Sequence, residues 1–207
     1  KLLIYIFVIT LLQNGIAQNI PHANYTAPWG VQVNTYNGNL YFQRTDLVIP
    51  NQELAIEFSF AYNSFRDTVD IGFGKGWTMN YNFRYEVINA DSMVVERADG
   101  RRDIYRRVGM DFIPPKGVFD LWENYLGDQY RLTTKYGMKY FFDDSAHQRL
   151  TKVEDTNGNQ LTMTYNASNE LITVTDQSGR SVDLTWNGGL LNEITDNNFN
   201  GNRTVGL

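Results

Sequence analysis

The sequence predicts an all-β protein, in which an antiparallel leader domain continues into a ribbon of β-hairpin repeats. The first observation is self-similarity across residues 150–196, where Asp155, Asp176 and Asp196 recur at spacings of 21 and then 20 residues. The second is the dominance of Val, Ile, Thr, Tyr and Trp between turn signals, with no apolar pattern at helical spacing after residue 17. A fixed period of about 20 residues is typical of repeat architectures, whose single units cannot bury their own apolar faces.

Residues 1–17 have the pattern of a secretory signal peptide. Lys1 precedes an apolar run at 2–12, and the small residues Gly15 and Ala17 mark a cleavage site before Gln18. The run is shorter than the ~20 apolar residues of a membrane-spanning helix, and an uncleaved anchor is the alternative. Because the chain has no Cys, it offers neither a disulfide nor a lipid-anchored Cys. We expect an exported bacterial protein, secreted or at the cell surface, without membrane attachment after cleavage.

The next part of the chain divides into an extended lead-in at 18–30 and a β-rich leader domain at 31–128. Residues 31–50 predict two strands separated by a turn around Gly38. Residues 53–60 alternate between apolar and polar types, which predicts a strand with one buried face, interrupted at Asn63 and Ser64. An Asp-Gly turn at Gly100 predicts a further hairpin.

Three glycines at alternate positions, Gly72, Gly74 and Gly76, directly precede Trp77. A phosphate-binding loop needs a helix after its glycines, whereas strand-like residues follow here. We therefore expect the glycines to let the backbone pass close to the Trp77 ring.

Residues 129–207 are predicted to form hairpin repeats, each with two short strands and two turns. Gly158, Gly179 and the Gly188-Gly189 pair mark reversals with positive φ, which is typical of primed hairpin turns. The second strand of each unit places its polar residues on one face: Thr162, Thr164, Asp183 and Thr185. The first strand is irregular at residues 171–174, which a bulge or burial of both faces would explain. Since the sequence stops within a unit, we expect a truncated array whose last strand, 190–196, is an uncapped edge open to another chain.

The order of these features resembles the N-terminal part of Rhs (YD-repeat) proteins. The family consensus Tyr-Asp-x-x-Gly-Arg-Leu is degenerate here, because Tyr165-Asn166 and Trp186-Asn187 stand in its place. The residues that carry the resemblance as a structural motif are Asp46, Pro50, Tyr62, Asn63, Ser64, Gly72, Gly74, Gly76, Trp77, Gly137, Asp155, Gly158, Asp176, Gly179 and Asp196.

The resemblance implies a non-enzymatic segment of a hollow β-cocoon. Such a wall would help to enclose or present a C-terminal toxin or effector domain that is absent from this chain. The partners it implies are downstream repeats and that cargo, both of the same polypeptide. The self-cleaving aspartates of the family lie far downstream and match no residue of this sequence.

Composition argues against several other function classes. The net charge is −5 and no basic stripe is present, so nucleic acid is not an expected partner. His22 and His147 lie far apart in sequence, and this spacing does not provide the partner residues that a metal site or a His-activated nucleophile needs. Adjacent carboxylates such as Asp143-Asp144 point to opposite faces of a strand and cannot flank one bond. No catalytic residue and no cofactor is expected.

Two alternatives stay open from the sequence. A carbohydrate-binding or adhesion module is the alternative function, because four tryptophans could stack on surface glycans: Trp29, Trp77, Trp122 and Trp186. Separately, Asp196, Asn198 and Asn200 precede Gly201 with the spacing of a Ca²⁺ loop. An enlarged repeat turn is the alternative there, since Leu207 occupies the position of the bidentate Glu.

Overall fold

The fold is nearly all β, as predicted. A computed structural model describes residues 24–26, 31–51, 54–127, 129–143, 146–198 and 202–206. The predicted signal peptide and most of the lead-in lie outside these residues. Among the described residues there is no α-helix, and the one helical element is a single 3-10 turn at Ser64–Arg66. Within the same residues, no helix has the length and apolar character needed to cross a membrane.

The strands form two antiparallel sheets. The smaller one, the leader sheet, has five strands in chain order: β1 Asn24–Thr26, β2 Gln32–Asn34, β3 Leu40–Ile49, β4 Ile56–Asn63 and β5 Trp77–Met79. The larger one, the ribbon sheet, has thirteen strands in chain order: β6 Arg84–Asn89, β7 Ser92–Glu96, β8 Arg102–Val108, β9 Asp111–Ile113, β10 Leu121–Leu126, β11 Gln129–Thr133, β12 Lys139–Phe142, β13 Leu150–Glu154, β14 Gln160–Tyr165, β15 Leu171–Asp176, β16 Ser181–Asn187, β17 Leu190–Asp196 and β18 Arg203–Gly206.

The ribbon sheet runs through the position at which the leader domain was predicted to end. β10 and β11, on either side of residue 128, pair directly, so hydrogen bonding between strands continues across this point. The change from one sheet to the other falls instead at residues 80–83, between β5 and β6. The second half of the predicted leader is therefore already part of the ribbon.

The first eight ribbon strands, β6–β13, curl into a barrel-like roll. Arg84 at the start of β6 forms a β-bridge with Arg149, just before β13. The Tyr85 amide donates to Gln148 O at 3.4 Å, and the Tyr85 hydroxyl donates to Asp143 O at 3.2 Å. These contacts bring the first strand of the roll back against its last. Aromatic side chains fill the interior, as in small barrels closed by packed side chains: Tyr85, Tyr105, Trp122, Tyr130 and Phe142.

The leader sheet packs on one face of the ribbon, and one hydrophobic core joins the two sheets. Ile56, Phe58 and Phe60 of β4 contribute to this core together with β15 residues. The predicted strand at 53–60 begins later and extends to Asn63. The prediction of one buried face was incomplete, because Ser59 on the other face is also buried, where its amide donates to Asn80 Oδ1.

Each repeat unit contains a β-bulge at the same place. The register shifts leave Thr151, Ile172 and Asn192 as the extra residues, so the bulge recurs with the repeat period. The irregularity at residues 171–174 is thus a bulge, one of the two predicted explanations. In the following strands Thr162, Thr164 and Thr185 are exposed, which confirms the predicted polar face.

The prediction that the strand at residues 190–196 forms the edge of the array was wrong. β17 does not lie at an edge, because β18 pairs with it from Glu193 to Asp196. Among the described residues, the last ribbon strand is β18, whose other side has no strand partner.

Candidate functional site

The repeat turns share one construction, centred on an acidic side chain. Oδ1 of Asp155 and Oδ1 of Asp176 each accept hydrogen bonds from backbone amides two and four residues later, at 2.8–2.9 Å. The fourth residue of each turn is Gly158 or Gly179, with φ of 88° and 84°. Only one residue of each turn therefore has positive φ. The predicted primed geometry is found at the Gly188-Gly189 pair, where both residues have positive φ.

The degenerate copy of the motif builds the same turn from different residues. Asn166 accepts from the amides of Ser168 and Glu170 at 2.9 and 3.0 Å, as the aspartates do. Asn169, with φ of 64°, takes the place of the glycine. Asn tolerates this conformation better than other non-Gly residues, so the turn survives without the consensus.

An aromatic donor ties each unit to the strand before it. The Tyr165 hydroxyl donates to Leu150 O at 2.8 Å, and Trp186 Nε1 donates to Leu171 O at 2.7 Å. Burial raises the pKa of the Tyr165 hydroxyl, so it remains a donor even above the pH at which an exposed tyrosine ionises. Both acceptors directly precede a bulge residue. Tyr and Trp are thus interchangeable at this position because each has an apolar ring and one polar donor.

The glycine loop of the leader meets the ribbon at Trp186. A Cβ on Gly72 would lie 2.4 Å from Trp186 Cζ3 and 2.7 Å from Gly189 O, and Gly72 has φ of 94°. Gly72 O also accepts from the Leu191 amide at 2.9 Å. The predicted close approach therefore exists, but the ring is Trp186 of the repeats. A Cβ on Gly74 would lie 3.8 Å from Trp77 Cδ1, an ordinary van der Waals distance.

A second junction joins the Pro50 motif to a repeat turn. Asp176 is 5% exposed, and its Oδ2 accepts from Arg180 Nε at 2.8 Å. Arg180 also donates to Pro50 O at 2.9 Å, and Asn51 Nδ2 lies 3.4 Å from Asp176 Oδ2. Two sequence motifs that are over a hundred residues apart are thus in direct contact. Together with the contact between Gly72 and Trp186, this junction holds the leader sheet against the repeats.

The remaining motif residues, apart from Gly137 of the ribbon, stabilise the leader itself. Asp46 is the bulge residue of β3 and pairs with Arg44 at 3.0 Å. Gly76 lies against the Tyr62 ring, and the Trp77 ring packs against the same ring with centroids 5.6 Å apart. The Phe65 amide donates to Asn63 Oδ1 at 3.0 Å, and the Leu40 amide donates to Ser64 Oγ at 2.9 Å. Gly137 has φ of 87° in the turn between β11 and β12.

The proposed calcium ligands form an internally bonded turn. Asp196 is fully buried, and its Oδ1 accepts from the Asn198 amide at 3.0 Å and from Asn198 Nδ2 at 2.7 Å. Its Oδ2 pairs with Arg203 at 2.7 Å. Burial favours a raised pKa for Asp196, but the Asn198 bonds and Arg203 together hold it below the ordinary value. Asn200 lies outside the described residues, within which no group of three acidic or His side chains converges. A calcium loop and an enlarged repeat turn therefore both stay open for residues 196–201.

The described tryptophans belong to the core. Trp122 is 3% exposed inside the roll, whereas Trp77 and Trp186 are half-buried and pack against the hydrophobic core. Trp29 lies outside the described residues. None of the three described rings is an open platform of the kind that sugar stacking uses.

Sequence reasoning missed two buried ion-pair networks that anchor the β7–β8 hairpin. Arg97, packed over the Phe83 ring, donates to Asp103 at 2.9 Å and also pairs with Asp120. Arg66 pairs with the buried Glu96 at 2.6 Å. The partners are separated in sequence without any motif, so only the fold brings them together.

Two family models match this chain. A domain of unknown function (DUF6531) matches residues 30–105, and the RHS Repeat matches residues 144–181. The chain belongs to the Rhs (YD-repeat) family. The second match covers the turns at Asp155 and Asp176 and the Tyr165 bond, which are the repeated features described above.

Curated relatives of this family member include two Bacillus proteins. The tRNA3(Ser)-specific nuclease WapA of Bacillus spizizenii and the tRNA nuclease WapA of Bacillus subtilis are each 30% identical to it over 141 residues. The match covers 68% of this chain but only 6% of each relative. The chain therefore corresponds to a small part of these much longer proteins.

Proposed function

We propose that this chain is a non-catalytic wall segment of an exported Rhs-type shell, which helps to enclose or present a C-terminal toxin or effector domain. The observation that carries the proposal is the continuous thirteen-stranded ribbon, in which Tyr165 and Trp186 bond their units to the preceding strand in the same way. A wall must grow by addition of equivalent units, and recurring turns, bulges and aromatic bonds allow this.

The leader sheet gives the wall its starting point. It covers one face of the ribbon and is fixed there by Gly72 against Trp186 and by Pro50 against Arg180. Downstream repeats of the same polypeptide would pair with the side of β18 that has no strand partner among the described residues. The nuclease names of the WapA relatives agree with a toxic cargo, although the aligned segment is a small fraction of those proteins.

The test uses the complete polypeptide encoded by the gene. Electron microscopy should reveal a closed hollow particle, and the C-terminal domain should resist proteinase K under conditions that digest the same domain expressed alone. N-terminal sequencing of exported material should begin at Gln18. An extended fibre with a protease-sensitive C-terminal domain would contradict the shell and favour an adhesin.

A matched pair of substitutions links this test to the structure. Gly72→Ala places a methyl group against Trp186, whereas Gly158→Ala meets no atom within 4 Å. In the complete protein we expect the first change, and not the second, to expose the C-terminal domain to protease. Equal protection in both variants would show that the leader junction does not close the shell.

A further inference from the structure

A cavity of about 600 Å³ opens at one end of the roll, among the turns that follow β6, β8 and β10. Its wall combines apolar side chains, namely Val87, Met93, Met110, Phe112 and Leu121, with polar and charged ones. Met110 is 88% exposed and Leu121 is 56% exposed, so apolar surface extends to the rim. Pockets of about 300–1,000 Å³ that combine apolar surface with a few polar groups, including those in barrel mouths, are the usual places for small ligands.

The floor of this cavity is an aromatic stack with an unused donor. The rings of Trp122 and Tyr130 are stacked, with centroids 5.4 Å apart and an interplanar angle of 26°. Tyr85 and Phe142 pack against the same indole and fix its position. Trp122 Nε1 is buried and has no hydrogen-bond partner among the described residues.

One cation is held at the cavity without a carboxylate partner. Arg107 lies over the Phe112 ring at 5.9 Å, and its bonds go to the neutral carbonyl oxygens of Gly109 and Ala90, at 3.2 and 3.4 Å. Among the described residues it forms no ion pair. Two carboxylates also line the cavity: Glu123, which Arg131 binds at 2.8 Å, and Asp111. Arg107 therefore has charge available for an anionic ligand.

From these features we propose that the mouth of the roll binds a small aromatic carboxylate. Its ring packs between the Trp122–Tyr130 floor and the apolar wall near Met110, and its carboxylate pairs with Arg107. Apolar rings gain from leaving water, and a charge-assisted bond to guanidinium fixes their orientation. The site is independent of the wall function, because it lies in the roll and uses none of the junctions between leader and repeats.

The test is a titration of the chain with naphthalene-1-carboxylate, followed by the indole N–H signals in ¹H–¹⁵N NMR spectra. The Trp122 signal should move in a saturable way because the ligand ring packs on that indole, whereas the Trp186 signal should stay in place because Trp186 lies outside the cavity wall. Trp122→Phe assigns the signal, and backbone-linked assignment replaces it if that variant does not fold. Absence of a saturable shift at Trp122 would overturn the proposal.

Three variants distinguish specific binding at this site from nonspecific hydrophobic binding. Arg107→Gln should weaken binding at least about tenfold, as expected for loss of a charge-assisted bond. Arg106→Gln is the matched control, because Arg106 is its exposed neighbour on the opposite face of β8 and should leave binding unchanged. Asp111→Asn should strengthen binding by removing a like charge from the cavity. Equal effects of the two Arg variants, or equally tight binding of the neutral 1-naphthalenemethanol, would contradict the role of Arg107.

Discussion

Trp186 Nε1 donates to the carbonyl oxygen of Leu171 at 2.7 Å, and the same ring forms the surface against which Gly72 of the leader packs. One side chain thus serves both the bond between repeat strands and the junction between the two sheets. Its counterpart Tyr165 makes the equivalent bond to Leu150 O. The two residues therefore allow the contribution of the bond to be compared between neighbouring units.

Trp186→Phe should retain an aromatic ring but leave Leu171 O without its donor. We expect a loss of about 1–2 kcal/mol in the free energy of unfolding, the usual cost of an unpaired buried acceptor. Urea denaturation of the purified chain measures it. Tyr165→Phe is the matched variant and should cost a similar amount; a loss below about 0.3 kcal/mol in both would show that these bonds contribute nothing net.

Gly72→Ala should destabilise the protein by more than Gly158→Ala. Both residues have positive φ, so each substitution carries a backbone strain of about 1 kcal/mol. Only at Gly72 does the new Cβ also collide with Trp186 and Gly189 O, and we expect at least about 2 kcal/mol in addition. Thermal denaturation of both variants tests the difference. If the two melting temperatures fall equally, the close approach does not exist in solution.

Asp176→Ala should weaken the attachment of the leader sheet as well as its own turn. The change removes the partner of Arg180 and the acceptor of Asn51, and we expect a cost of about 2 kcal/mol. Asp155→Ala removes the same turn bonds without any contact to the leader and should cost less. Hydrogen exchange of β4 amides distinguishes the two changes: faster exchange is expected only for Asp176→Ala.

Stability should fall below pH 4.5 because several carboxylates have lowered pKa values in the folded state. The bond from Lys139 is the main cause at Glu154, and the bond from the Asn159 side chain is the main cause at Asp155. A carboxyl with a lower pKa in the folded state contributes stability above its unfolded value, 4.5 for Glu and 3.8 for Asp here, and loses it as the pH falls through the folded value.

The pH dependence has its own control. Lys139→Met should make the loss of stability between pH 6 and about pH 3 smaller, since Glu154 then titrates closer to its unfolded pKa. Lys135→Met should leave the profile unchanged, because the Lys135 side chain packs over the Phe119 and Tyr136 rings. Urea midpoints measured across this range give the comparison. Identical profiles for all three proteins would contradict the assignment to Glu154.

Calcium should leave the melting temperature unchanged. Both oxygens of Asp196 already accept protein donors, and Arg203 supplies the positive charge that a cation would bring. The measurement compares melting in EDTA with melting in millimolar CaCl₂. A calcium-dependent increase that disappears in Asp196→Asn would instead establish the loop at residues 196–201 as a calcium site.

Much of the repeat architecture could be predicted from the sequence, because it depends on local signals. Gly158 and Gly179 identify turns, and alternation at Thr162 and Thr164 identifies the exposed face. The partner of Gly72 could not be predicted, since Trp186 is over a hundred residues away and Trp77 is adjacent in sequence. Closure of the roll also has no local signal, because it depends on the accumulated curl of eight strands that brings Arg84 to Arg149.

The bulges at Thr151, Ile172 and Asn192 have an evolutionary consequence. A bulge bends its strand and increases the local twist, so each unit contributes the same increment of bend at the same place. An in-frame duplication or deletion of one whole unit would therefore preserve every contact inside the remaining units. Selection could thus change the space behind the sheet in fixed steps, through unit number alone, without altering a single side chain in the units that already exist.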